Sequence, residues 1–184
     1  MTSPDPRQAV LDRLCEVPGI FASPEQPRPG PQFGVAAPVS SAQRDSVRFR
    51  KERQAEALRL YAVYFVDLLG QPWQCLVGVT RQDNGRSVAR RVAAGDGDLA
   101  RERPWVNLAG WWGAGLFCAG GEVIGVGAED ASHVCLVFAD GSTLTDDVEH
   151  GVVLFVTEHD VVLPATARVL DNVGVVLATH PAID

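Results

Sequence analysis

The sequence is poor in lysine and has no paired cysteine motif. Its only lysine is Lys51, and the other fifteen basic residues are arginines. No Cys-x-x-Cys pair occurs among the four cysteines, which excludes zinc-ribbon and thioredoxin-type sites. Cys75, Cys118 and Cys135 stand in apolar runs, so we expect reduced, mostly buried thiols.

The sequence also shows neither the pattern typical of a signal peptide nor that of a transmembrane helix. Met1 to Pro6 is followed by no apolar run of the kind found in signal peptides. Pro104 to Gly121 is 18 residues long and uncharged, but its five glycines argue against a transmembrane helix. We therefore expect a cytoplasmic protein with no membrane span.

Charge is unevenly distributed along the chain. Residues 1–103 contain 15 basic and 12 acidic residues, whereas residues 104–184 contain one basic residue, Arg168, and 11 acidic ones. The net charges are therefore +3 and −10. An acidic surface repels nucleic acid and anionic lipid and favours basic protein partners. The alternative is a solvated acidic face that keeps the protein soluble.

Residues 1–40 are predicted to form a short helix and a proline-rich arm. Arg7 to Val17 can form the helix, with Val10, Leu11 and Leu14 on one side. Five prolines between residues 20 and 40 favour a linker or an extended arm laid over the protein.

Residues 41–103 are predicted to form a charged helix and a three-stranded β-meander. The spacing of charges favours a helix from Ser41 to Leu58, and Arg44–Arg59 could alternatively bind nucleic acid, although three acids within it argue against that. The meander strands are predicted at Leu60–Leu68, Gln74–Arg81 and Ser87–Ala94, with Asn84-Gly85 at a hairpin tip.

Residues 104–184 are predicted to form an acidic β-sandwich half that can share one core with residues 60–103. Two of its strands, His133–Ala139 and Val152–Thr157, are apolar on both faces, so the second face needs a cover. The charged helix, the proline arm or another subunit could supply that cover. The other strands are predicted at Glu122–Gly127, Thr143–Val148, Thr166–Leu170 and Val173–Thr179.

Three segments near the C-terminus share a pattern of strands and turns. They run from Val134 to Thr143, from Val148 to Phe155 and from Val169 to Gly174. Together they resemble an immunoglobulin-like β-module of uncharacterised actinobacterial proteins, over residues 115–180. The resemblance implies an immunoglobulin-like antiparallel sandwich and transfers no catalytic residue. The predicted fold is thus mainly β, with one or two helices at an α+β N-terminus.

No catalytic or cofactor signature is complete. The glycine pairs at 95–97 and 125–127 lack the third glycine or the Gly-Lys-Ser/Thr of phosphate loops, and Gly141-Ser142 lacks a nucleophile elbow. His133 and Cys135 fall on one side of a strand, which we interpret as two semi-buried side chains. The acids and histidines at 146–150 and 158–160 lack ligand spacing. We predict no catalytic residue, cofactor or metal.

Three of the four tryptophans, Trp105, Trp111 and Trp112, lie within eight residues of one another. They are either core or an interaction surface, because tryptophan is enriched in both. We predict a non-enzymatic interaction or assembly protein that forms a homo-oligomer or binds a protein partner, which could be basic. The alternative is a small-ligand binder or enzyme with a pocket between meander and sandwich, lined by Trp105, Trp112 and His133.

Overall fold

The computed structural model describes residues 5–15, 42–55, 58–68, 70, 72–83, 85–95, 102–113 and 115–184. For residues 90–95 and 111–113 it describes the backbone alone. Within these ranges the chain forms one α-helix and eleven β-strands. The prediction of a mainly β fold with antiparallel sheets is confirmed. No helix in the described ranges is long and apolar enough to cross a membrane.

The helix comes first and the strands follow in an unbroken series. The elements are α1 (Pro6–Cys15), β1 (Arg48–Gln54), β2 (Leu58–Val66), β3 (Pro72–Arg81), β4 (Ser87–Gly95), β5 (Trp105–Gly113), β6 (Leu116–Ile124), β7 (His133–Phe138), β8 (Thr143–Asp147), β9 (Val152–Thr157), β10 (Ala165–Leu170) and β11 (Val176–Ile183). Short 3-10 turns occupy Arg44–Ser46 and Ala128–Asp130. Asp5 caps α1, where its Oδ1 accepts from the Arg7 N–H at 3.0 Å.

The strands form three antiparallel sheets. The meander sheet has the order β1-β2-β3-β4, the middle sheet β5-β6-β9, and the outer sheet β11-β10-β7-β8. At their edges, β1 lies against β9 and β4 against β5, while β11 lies against β5 and β8 against β9. The middle sheet therefore meets both neighbouring sheets at its edges as well as across its faces.

Alternation along each strand divides the interior into three apolar clusters. Helix α1 packs Val10 and Leu14 on one face of the meander sheet, beside Tyr61 and Val63. The other face of that sheet packs on the middle sheet through seven buried residues: Leu58, Leu60, Ala62, Leu76, Cys118, Val152 and Leu154. A larger cluster of thirteen, including Phe117, Leu136, Phe138, Val153 and Phe155, fills the space between the middle and outer sheets. The layers are thus helix, meander sheet, middle sheet and outer sheet.

Strand β9 shows why the middle sheet needs two covers. Leu154 faces the meander sheet, and Val153 and Phe155 face the outer sheet. The prediction that this strand is apolar on both faces is confirmed by the burial of Val152 to Phe155. The cover for its second face is the meander sheet of the same chain.

The predicted charged helix over Ser41–Leu58 is wrong. Within the described part of this stretch, Arg44–Ser46 is a 3-10 turn and Arg48–Gln54 is β1, which adds a fourth strand to the predicted three-stranded meander. The charged residues whose spacing predicted ion pairs within a helix instead form ion pairs with residues of other strands and of α1. Glu52 pairs with Arg59 of β2 and with Arg7 of α1, each at 3.2 Å.

Glycines in the left-handed region set several strand ends. Gly125, at φ +105°, follows β6 directly, so that strand ends before the predicted Gly127. Gly141, at φ +84°, lies in the predicted Asp-Gly turn between β7 and β8. Gly85 lies in the β3–β4 connection at φ +77°, whereas Asn84 and the predicted proline arm of residues 20–40 lie outside the described residues.

Candidate functional site

A buried cluster of charges joins β1 to the sandwich. The Lys51 side chain is fully buried, and its Nζ donates to Asp146 Oδ2 at 2.6 Å. Nζ also donates to the carbonyl oxygens of Asp147 and Val152. The Lys51 ammonium group therefore has three acceptors, as its three protons require.

Asp146, at the end of β8, is the hub of this joint. Its Oδ1 accepts from Arg53 Nε at 2.7 Å, and its Oδ2 accepts from the Leu154 N–H at 2.7 Å as well as from Lys51. Charges can be buried only when paired and hydrogen-bonded in this way. The cluster connects β1 to β8 and β9 and leaves Asp146 engaged on both oxygens.

All six basic side chains of the Arg44–Arg59 stretch have partners within the chain. Arg50 pairs with Glu122 at 2.7 Å, Arg44 lies 3.8 Å from Asp12, and Arg48 donates to the Asp45 carbonyl at 2.7 Å. The other three are Lys51, Arg53 and Arg59, described above. Three of the six, Arg50, Lys51 and Arg53, pair with acids of residues 104–184, so the opposite charges of the two halves attract each other inside one chain.

Trp105 contacts a buried histidine of the outer sheet. Its ring stacks on that of His180, with centroids 3.6 Å apart and planes 18° from parallel. His180 Nε2 accepts from the Val106 N–H at 3.1 Å, and Nδ1 lies 3.0 Å from the Pro181 carbonyl. This pattern fits a neutral ring with its proton on Nδ1. Half-buried Trp105 thus helps to hold β5 against β11.

His133, the third predicted pocket residue, lies two strands away from His180 in the outer sheet. Its Nε2 is 3.2 Å from Asp147 Oδ1; His133 is half-buried, and Asp147 is exposed. The space between the described parts of the meander and middle sheets is filled by the apolar cluster that contains Leu60, Leu76 and Leu154. The side chains of Trp111 and Trp112 lie outside the described residues, so the pocket and the tryptophan surface stay predictions.

The four cysteines are all free thiols. Cys75 and Cys118 are buried as predicted, whereas Cys135 is half-buried on β7. Burial raises the pKa of the fourth, Cys15, at the end of α1. In the described part of the chain no group of three histidines, cysteines or acids is placed to hold a metal.

The end of the sandwich where β10 turns into β11 presents valines to solvent. Val173, Val175 and Val176 are 76%, 57% and 48% exposed. Val126, in the connection from β6 to β7, is also exposed. Three of the six exposed large apolar side chains in the described residues therefore lie on this one turn. We call this end of the outer sheet, where β7 and β11 begin and β8 and β10 end, the valine end.

The turn that carries these valines is tightly hydrogen-bonded. Asp171 Oδ1 accepts from the N–H groups of Val173 at 2.9 Å and of Val175 at 2.8 Å. The Asp171 N–H donates to the Val175 carbonyl at 3.0 Å, and Gly174 adopts φ +88°. The β10–β11 turn is therefore a defined structure that holds the valines outward. It also explains why β11 begins at Val176 and not at the predicted Val173.

Ser132 ties the other connections at this end to the valine turn. Its N–H donates to the Leu170 carbonyl and its carbonyl accepts from the Val148 N–H, each at 2.8 Å. Ser132, Val148 and Leu170 consequently lie side by side, where the three connections meet the outer sheet. Sequence reasoning missed this surface because the valines fitted a strand pattern; the signal was Asp-x-x-Gly followed by two valines.

Comparisons with known proteins add no assignment. The chain matches no protein-family model, no curated protein and no solved structure. The geometry of the described residues is therefore the basis for a functional proposal.

Proposed function

We propose that the protein is a non-enzymatic interaction protein that binds another protein through its valine end. The observation that supports this is the exposure of Val173, Val175 and Val176 on a turn fixed by Asp171. Clustered exposed apolar side chains characterise interaction sites, whereas single ones are ordinary. The four free cysteines support a cytoplasmic setting.

The rigidity of the turn favours the interpretation that its exposed valines bind a partner, over the interpretation that their exposure has no role. Ordering a mobile loop on binding costs free energy, and this turn already has its backbone groups engaged in the free protein. Valine also has few rotamers to lose. The valine end is therefore preorganised, and the apolar area that a partner covers contributes to affinity with little ordering cost.

The second face of β9, one of the features that predicted a homo-oligomer from the sequence, is not available for self-association. The meander sheet of the same chain covers that face through Leu60, Leu76 and neighbouring side chains. The charged residues of β1 are likewise engaged within the chain. These contacts favour binding of a different protein over self-association.

The test is a selection of displayed random peptides on the immobilised protein, followed by affinity measurements on the purified variant V173T/V175T/V176T. Threonine keeps the size and β-branching of valine and replaces one of its two methyl groups by a hydroxyl, which weakens the apolar contact. We expect selected peptides to bind the triple variant about tenfold more weakly, or worse, which corresponds to about 1.4 kcal/mol or more.

The matched control is Val162→Thr, because Val162 is 48% exposed and is hydrogen-bonded to Ala139 near the opposite end of the outer sheet. This variant should bind the selected peptides as the unmodified protein does. The proposal is wrong if no peptide is enriched, or if the triple variant binds the enriched peptides with unchanged affinity.

A further inference from the structure

The valine end is strongly acidic as well as apolar. The segments 125–133, 147–151 and 170–176 contain five acidic residues and no lysine or arginine. Glu129, Asp130, Asp147 and Glu149 are exposed, and Asp171 forms the turn. The one basic residue of the acidic half, Arg168, lies on β10 two residues before Leu170. The exposed valines are thus accompanied by carboxylates on the neighbouring connections.

We infer that the occupant of the valine end is a cationic segment of a partner protein, in which lysine or arginine alternates with apolar residues. This inference rests on the proposed function and adds the chemistry of the partner. Apolar residues of the segment would cover Val173 and Val175, and its basic residues would lie against the carboxylates. Complementary charge of this kind speeds association and excludes wrong partners.

The same charges disfavour the other two occupants that an apolar surface could take. A second copy docked through the same end would bring two sets of carboxylates together, which costs free energy. An anionic bilayer is repelled for the same reason. Arg50 does not offset the acids, because it pairs with Glu122 and donates to the His150 carbonyl.

The test uses three short synthetic peptides on the full chain: one alternating lysine and valine, one alternating glutamate and valine, and one alternating lysine and serine. Fluorescence anisotropy of labelled peptides gives the affinities at low and at high salt. We expect the lysine–valine peptide to bind at least about tenfold more tightly than either of the others, because it alone supplies both complementary charge and apolar contact. Its affinity should fall as salt rises.

Two variants separate charge from apolar contact. E129Q/D130N/E149Q should weaken the lysine–valine peptide and flatten its salt dependence, whereas V173T/V175T/V176T should weaken it and leave the salt dependence. The control D160N/D184N removes two exposed carboxylates outside the valine end. It should leave the affinity unchanged.

The outcomes distinguish this inference from the proposed function. If a neutral peptide from the selection needs the three valines and the lysine–valine peptide does not bind, the inference is wrong and the proposed function stands. Equal binding of the lysine–serine peptide would reduce the site to charge alone and overturn the inference. Binding to anionic vesicles through the valines would overturn it in favour of a membrane. Failure of every peptide overturns both.

Discussion

The middle sheet has two interfaces, one on each face. One face packs on the outer sheet and forms the main core, and the other packs on the meander sheet and forms what we call the joint. The first contains thirteen buried residues, all apolar, including Phe117, Phe138 and Phe155. The second contains seven buried apolar residues, and the fully buried Lys51 and Asp146 lie at its rim. The core is held by the packing of apolar side chains alone, whereas the joint combines apolar packing with a buried ion pair.

This difference indicates how the two halves of the chain recognise each other. Apolar packing is non-directional, so seven small and medium side chains alone would allow β1 to shift along β9. Hydrogen-bonded charges have direction, and Asp146 accepts from both Lys51 and Arg53 of β1. We propose that the ion cluster specifies the docking register of the meander while the apolar residues supply most of the free energy.

The largest expected effect comes from removing the hub of the joint. Asp146→Ala leaves the buried Lys51 ammonium with carbonyl partners only, and we expect the free energy of unfolding to fall by about 3–5 kcal/mol. Urea denaturation followed by tryptophan fluorescence measures it. Asp147→Ala, which removes only the exposed pair with His133, should cost no more than about 1 kcal/mol.

A double replacement sharpens the same point. Lys51→Met combined with Asp146→Leu removes the fully buried ammonium together with its carboxylate. The partly exposed Arg53 loses Asp146 in this variant and in Asp146→Ala alike. We expect this variant to be more stable than Asp146→Ala, because apolar residues of similar volume often substitute for buried ion pairs at little cost. Equal loss in both variants would mean that the ion pair contributes net stability and not only register.

The apolar part of the joint can be disturbed at Gly120 of β6. A Cβ atom there would lie 2.5 Å from Leu154 Cδ2 and 2.9 Å from the Val153 carbonyl oxygen, with Leu76 Cδ2 at 3.0 Å. We expect Gly120→Ala to lower the free energy of unfolding by about 1–3 kcal/mol through overpacking. If crowding is the cause, the cost of Gly120→Ala together with Leu154→Ala should be smaller than the sum of the two single costs.

The smallest effect concerns the other face of the meander sheet, where Tyr61 is fully buried against Phe49. Its hydroxyl makes no hydrogen bond of good geometry among the described residues, and the nearby Arg59 guanidinium is the one side chain that interacts with it as a donor. An unsatisfied buried hydroxyl is costly, so we expect Tyr61→Phe to be neutral or to stabilise the protein by up to about 1 kcal/mol. A loss of more than that would reveal a partner for the hydroxyl.

The pH dependence of stability provides a second measurement on Tyr61. Burial raises the pKa of its phenol, so the unfolded chain releases the proton at lower pH than the folded protein does. The free energy of unfolding therefore does not depend on Tyr61 ionisation below pH ~10, and it falls as pH rises further, because the unfolded chain loses the phenol proton first. Denaturation at neutral pH and above pH ~10 should show a smaller alkaline loss for Tyr61→Phe than for the unmodified protein.

Local patterns were sufficient for seven strands, but they missed β1 and β5 and predicted only the last three residues of β6. Alternating apolar residues and turn glycines predicted the regions of β2, β3, β4, β7, β8, β9 and β10 within a few residues, because period and turn chemistry are properties of neighbouring residues. Charged residues at helical spacing, such as Glu52 and Glu56, predicted a helix where β1 lies. Asp146, the partner of Lys51 and Arg53, is 95 and 93 residues away from them. Glu52 pairs with Arg7 of α1 as well as with the nearby Arg59, so most of these contacts lie beyond any local pattern.

The sequence by itself determined that this chain is mainly β, that β9 is apolar on both faces and that its C-terminal half is acidic. These follow from residue type and spacing, which need no partner to be known. Only the tertiary structure decided that the meander covers β9, that Lys51 is buried against Asp146, and that Asp171 and Ser132 gather the valines with the acids at one end. Those relations depend on which distant segments meet, and the free energy that selects them comes from contacts distributed over three sheets.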